Sequence, residues 1–364
     1  MSGFLHMCLN SFPANVNLLV ARLRDMGVSG YRVSGDPTDD DMDMIASYGD
    51  INCNVGKVPD AAAGGVPTYG GGLQVQGKGC LEFINPVNGG LGADNLRIAR
   101  VPYCTNPPLN IDRAVIFAEG AKDAKRPWAA KAKWVSFGNE MDDMLWPTRP
   151  LVEREWGGNW DVAAQHGLTF FFIPYISGWL SVLPQTKVLG FDTQTCGWNA
   201  SMYAAMNMNL LITSEIVKTS ASAQMIRDAW LPCPFNLDVN GVHTYAMGGE
   251  FPIDALDRLN GFGGYIPYLK GRGWDGTPAL ASTEVDDESG QGTDQIPAYL
   301  AASWAMHQLV FVTLYNPAHY FGDGTEKGLA AQLAAKKCEP NPLYDRMQRT
   351  MQQITSRHRA VVHS

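Results

Sequence analysis

Short apolar runs alternate along this chain with segments whose apolar residues recur at helical spacing. Residues 4–9 read as a strand. Val16, Leu19, Val20, Leu23 and Met26 then line one helical face, with Asn15 opening the helix and Gly27 stopping it. Residues 30–34 read as a second strand, 38–48 as a short helix and 51–58 as a third strand. Residues 59–110 break the rhythm. They are rich in Gly, Pro and Asn and too long for a simple connection, so they predict a functional loop or an inserted hairpin. A helix at 111–122 resumes the pattern. Further strands are expected at 134–140, 187–191, within 237–246, at 279–284 and at 309–315, with helices at 221–230, 253–259, 298–307 and 342–357.

Strands alternating with helices predict an α/β fold with a parallel sheet. Eight strands, each followed by helical material, make the count that a closed (β/α)8 TIM barrel requires. With no internal repeat and no long linker, residues 1–364 read as one barrel domain with an enlarged loop or insertion after the third strand.

Composition narrows the function. The net charge of −8 offers no basic excess to displace counterions from a nucleic acid. No apolar run reaches the 18 residues of a membrane span. No Lys or Arg precedes Arg22, so no charged leader of the secretory kind is expected; the chain reads as cytoplasmic, virion-associated or a trimmed secreted form. The seven cysteines are scattered, odd in number and without a CxxC pair, which excludes a zinc ribbon and predicts reduced, buried thiols. The acidic run at 36–43 lacks the spacing of a calcium loop and suits a helix start, where aspartates favour the dipole. The glycines at 70–72 lack the Lys-Ser/Thr of a phosphate loop, and no Gly-x-Ser-x-Gly elbow occurs.

In such a barrel the chemistry sits at the C-terminal strand ends. The fourth strand ends in Asn139-Glu140, the sixth in His243-Thr244-Tyr245 and the seventh in Thr283-Glu284, while the second carries Arg32. Two carboxylates on strands four and seven would face each other across the mouth. Glycosidic cleavage needs one carboxyl to protonate the leaving oxygen and another to attack or to activate water.

These strand ends resemble the retaining glycoside hydrolases of the large (β/α)8 clan that includes cellulases, mannanases, β-galactosidases and β-xylosidases. The resemblance implies that Glu140 is the acid/base and Glu284 the nucleophile. It further implies that Asn139 holds the sugar 2-hydroxyl, that Tyr245 hydrogen-bonds the nucleophile, and that Arg32 lies beneath Glu284 and favours its ionised form. His243 would contact substrate or Glu140. The chain departs from the clan at the eighth strand, where Leu314-Tyr315-Asn316-Pro317 replaces a common Trp, leaving Tyr315 or Tyr320 for that place. It also lacks the His that several members carry after the third strand.

Trp146, Trp156 and Trp160 follow Glu140, and Trp198 follows the fifth strand; indoles there would make flat platforms for sugar faces. The expected activity is a retaining, endo-acting glycosidase that uses no cofactor or metal and whose partner is a carbohydrate. A carbohydrate-binding barrel without catalysis is the alternative. A metal-dependent hydrolase would need His/Asp clusters at strand ends, where only His243 qualifies. Deleting either carboxylate is expected to relieve like-charge repulsion and leave the fold intact.

Overall fold

Eight strands are present among the described residues: β1 (Leu5–Leu9), β2 (Gly30–Val33), β3 (Asp50–Val55), β4 (Ala132–Phe137), β5 (Lys187–Thr193), β6 (Val239–His243), β7 (Ala279–Val285) and β8 (Leu309–Leu314). They follow one another in chain order round a closed parallel barrel, as the strand count predicts. The structure, a computed structural model, describes residues 3–9, 12–33, 37–55, 113–137, 172–193, 227–228, 230–244, 276–286 and 295–362, with isolated positions at 256–257, 266–267 and 270. The expected insertion at 59–110 lies outside the described residues. Among them, no helix is long and apolar enough to cross a membrane.

The chain divides into two compact units, Met1–Cys53 with Lys131–Lys133 and Val239–Ser364, and Asn54–Ala130 with Trp134–Asp238. In the first unit, α1 (Val16–Met26) buries the five apolar residues that its spacing predicts. Gly27 ends it at φ 112°, a left-handed conformation that favours glycine. Asn15 precedes the helix without capping it; its amide donates instead to Leu333 O at 2.9 Å. The acidic run does start a helix, α2 (Asp39–Ala46). The Thr38 hydroxyl accepts from Asp41 N at 3.1 Å and the Asp41 carboxylate accepts from Thr38 N at 3.0 Å, a reciprocal capping box.

In the second unit, α3 (Arg113–Asp123) and α4 (Ile173–Val182) approach backbone to backbone at two glycines. A Cβ on Gly120 would meet Tyr175 O at 2.1 Å, and one on Gly178 would meet Phe117 O at 2.0 Å. The helix α4 carries no helical stripe because Ile173 through Trp179 are all buried, so periodicity could not reveal it.

Further described helices of the first unit include α5 (Ile296–Met306), α6 (Glu326–Ala334) and α7 (Pro342–Val362), with a short 3-10 turn at Pro317–Tyr320. Strand facing follows from what each side chain touches. The Tyr31 hydroxyl donates to Val20 O of α1, so Tyr31 faces the helices, and Gly30 and Arg32 face the barrel interior. In register with them, His6 pairs Gly30 and Cys8 pairs Arg32. The His6 ring fills the space over Gly30, where a Cβ would lie 2.4 Å from Nε2, and stacks on Phe311 at 4.3 Å. Burial lowers the His6 pKa to about 4, so the ring is neutral and serves as packing.

Candidate functional site

Glu284 lies near the end of β7 and is 3% exposed. Its Oε1 accepts a hydrogen bond from Arg32 Nη1, which comes from the inward face of β2. Its Oε2 lies 3.6 Å from Nδ1 of His243 at the end of β6. Arg32 and His243 are themselves 1% and 2% exposed. The same Arg32 Nη1 donates to Cys8 Sγ at 3.6 Å, and Cys8 Sγ points to Thr283 O at 4.0 Å. The carboxylate is therefore held from beneath by a guanidinium and from the side by an imidazole. The guanidinium, a cation that also donates a hydrogen bond, favours its ionised form. Three named residues from distant parts of the sequence meet here. Among the described residues, Arg32 and His243 stand against this carboxylate; Glu140, the other member of the expected like-charged pair, lies outside them. Deleting Glu284 removes the anion from a buried cation.

An irregularity in β7 aims this carboxylate. Ser282 pairs Val242 of β6, yet the next residue, His243, pairs Glu284; on the other side Ser282 pairs Val312 and Val285 pairs Leu314. Both registers count one extra residue in β7 between Ser282 and Val285, which defines a β-bulge. Strict alternation would put Ser282 and Glu284 on one face. Instead the Ser282 hydroxyl meets Tyr299 of the outer helix α5, and Glu284 meets the inward-facing Arg32.

No family model matches the chain, and no curated protein matches it. Solved structures do. The virulence factor SghA from Agrobacterium tumefaciens aligns with a TM-score of 0.50 and 10% identity over 96% of both chains. SghA in complex with its substrate analog salicin aligns equally well, over 96% of this chain and 95% of that one. A monomeric β-xylosidase from Caulobacter crescentus CB15 aligns at 0.49 with 12% identity, over 95% of this chain and 67% of that one. The closed ring of eight parallel strands and the likeness to SghA identify the fold. It is a (β/α)8 barrel.

Behind the barrel wall, a cluster of hydroxyls fastens the bulge. Thr244 Oγ1 lies 2.6 Å from both Ser282 Oγ and Tyr299 OH. The Glu284 carbonyl accepts from Thr244 N at 2.8 Å and, more loosely, from Ser282 Oγ at 3.4 Å. All three side chains are buried, so each lost hydroxyl leaves a partner in a dry place. Tyr299→Phe is expected to lower stability by roughly 1–2 kcal/mol and to reduce kcat several-fold with KM nearly unchanged. Thermal unfolding together with steady-state kinetics checks this. A stability loss with unaltered kcat would reduce the cluster to a structural fastening.

Other candidate residues are placed less fully. Glu140, Asn139, Tyr245, Trp146, Trp156, Trp160 and Trp198 lie outside the described residues of the barrel. Tyr315 follows β8, is half-buried, and donates its backbone N–H to Val285 O at 3.1 Å. Tyr320, the other candidate for the missing Trp, is 3% exposed and therefore no platform. Sequence reasoning missed Asp286 and His319. His319 Nδ1 and Asp286 Oδ1 are 3.2 Å apart, just beyond the ends of β8 and β7. The only sequence signal was the step of two from Glu284 to Asp286.

Proposed function

We propose that this barrel is a retaining β-glycosidase acting on an oligo- or polysaccharide, in endo fashion, through one catalytic barrel spanning the chain. Glu284 is the nucleophile and Glu140 the acid/base. The observation that carries the reading is the buried Glu284 carboxylate, ion-paired with Arg32, flanked by His243 and turned inward by a bulge at the C-terminal end of β7. The likeness in fold to SghA, solved with its substrate analog salicin, adds support.

In this mechanism a Glu284 oxygen attacks the anomeric carbon while the leaving oxygen takes a proton from Glu140. The products are a glycosyl ester and a free alcohol. Glu140 then removes a proton from water, which displaces the Glu284 carboxylate and restores the original configuration. Arg32 acts in both halves: it keeps the attacking group ionised, then stabilises the departing carboxylate. Asn139 and Tyr245 position the sugar and the nucleophile, Tyr315 bounds the cleft, and Trp146, Trp156, Trp160 and Trp198 supply stacking surfaces along it.

Proton NMR of the first-formed product tests the reading. An aryl β-glycoside should yield the β-anomer before mutarotation, and product sizing on defined polysaccharides should show internal cleavage. First formation of the α-anomer would mean inversion. Sugar binding without turnover of any glycoside would leave a binding barrel.

A further inference from the structure

The Arg32–Glu284 pair touches a third strand. Cys8 lies on β1 and pairs Arg32 of β2 in register, so both side chains point into the barrel. Both are buried. Arg32 Nη1 carries two hydrogens. This nitrogen donates to Glu284 Oε1 and also to Cys8 Sγ, the latter at 3.6 Å. The thiol in turn is directed at Thr283 O, at 4.0 Å. Thr283 directly precedes Glu284, in the stretch of β7 where the register slips. A bulge disrupts the ladder locally, so the aim of the side chain it turns depends on what else holds that backbone. Cys8 meets both the cation and the peptide that carries the anion, and it does so from a strand that does not border β7.

We propose that Cys8 is a positioning residue for the nucleophile: its sulfur accepts from Arg32, donates to Thr283 O and so holds the guanidinium against the Glu284 carboxylate. The inference rests on the glycosidase reading above and deepens it by naming a residue that acts on Glu284 through Arg32. A planar guanidinium held at one hydrogen bond can tilt about that contact. A second acceptor on the same nitrogen fixes its plane. Sulfur is a weak acceptor and a thiol a weak donor, so neither contact contributes much energy by itself. Its effect is on geometry, because the attraction between buried charges depends on their separation. An apolar side chain of the same size would fill the space but offer Nη1 no acceptor. In a dry interior that hydrogen is costly to leave unmatched, and the guanidinium would turn to satisfy it at the expense of Glu284. Among the described residues, Arg32 from β2 and His243 from β6 face Glu284, and Cys8 from β1 faces Arg32. In the proposed mechanism Glu140 faces it from beyond β4.

A double-mutant cycle on the full chain tests this. Cys8→Val fills the volume without an acceptor, Cys8→Ala removes the acceptor without crowding, and Cys8→Ser restores one. Each is made alone and in the Arg32→Met background; His243 and Glu140 are the same in all of them. NMR of protein labelled at the glutamate carboxyl carbon follows the titration of Glu284, assigned with Glu284→Gln. An aryl β-glycoside gives kcat/KM against pH. With Arg32 present, Cys8→Val and Cys8→Ala should let Glu284 protonate at a higher pH and move the acid limb of kcat/KM upward with it. Above that limb kcat/KM should fall by about threefold to tenfold, less than in Arg32→Met. Cys8→Ser should recover most of the loss. In the Arg32→Met background the Cys8 variants should change neither the titration nor the limb, because the guanidinium that transmits the effect is gone. If the titration stays in place in the apolar variants, or shifts equally with and without Arg32, Cys8 is packing and the proposal fails while hydrolysis stands. Failure of both apolar variants to fold would overturn it in the same way. If Cys8 shifts the titration only when Arg32 is present but no glycoside is hydrolysed, the positioning role stands and the glycosidase reading falls.

Discussion

Glu284→Ala should reduce turnover of every glycoside by about 10⁴-fold or more, activated aryl glycosides included, because the variant has lost the carboxylate that attacks the anomeric carbon. Glu140→Ala should behave differently. A good leaving group needs little protonation, so the glycosyl ester still forms from an activated substrate and then waits for a base. Azide needs no base. It should restore turnover in Glu140→Ala and give the β-glycosyl azide, but give the α-azide in Glu284→Ala by entering from the vacated face. Reversed azide configurations would exchange the two roles, and near-normal rates in both variants would remove the site altogether. Stability should also separate them. Glu284→Ala takes the anion from the buried Arg32 guanidinium, and breaking a buried pair from one side costs about 3–5 kcal/mol. Thermal unfolding should therefore fall by several degrees. Removing both charges in Arg32→Met/Glu284→Gln should recover much of that loss, since the desolvated cation is gone as well.

Arg32→Met is the second large effect. It should lower kcat/KM by about 10²–10³-fold, the scale set by loss of one preorganised charged donor. Its diagnostic is the pH profile. A guanidinium beside a carboxylate favours the ionised form, so its removal lets Glu284 protonate at a higher pH. Activity then disappears earlier as pH falls, and the acid limb of kcat/KM moves upward. Arg32→Lys keeps the charge but not the fork geometry, and should fall between. An acid limb that stays in place in Arg32→Met would show that Arg32 does not act through the charge of Glu284.

The strands were legible because each is a short apolar run bounded by turn residues, and so were α1 and α7, because their stripes recur at helical spacing. The helix α4 was not legible, being buried on every side. Nor was α6 (Glu326–Ala334), whose buried residues reduce to Leu329 and Leu333 amid alanines. The pair Asp286 and His319 escaped notice because 33 positions of chain separate two residues that the ends of adjacent strands bring to 3.2 Å.

The sequence by itself determined the barrel, since the order of apolar runs and helical stripes leaves one economical way to bury both. It also determined that Arg32, His243 and Glu284 stand near strand ends. Only the tertiary structure decided which way Glu284 points. Alternation read from the letters Ala279 to Val285 places Ser282 and Glu284 on one face, so one of them would be wrongly aimed. The extra residue in β7 resolves this, sending Ser282 out to Thr244 and Tyr299 and Glu284 in to Arg32. A bulge exists only as a mismatch of register between neighbouring strands, and register is set by the strands on either side. No stretch of β7 read alone contains it.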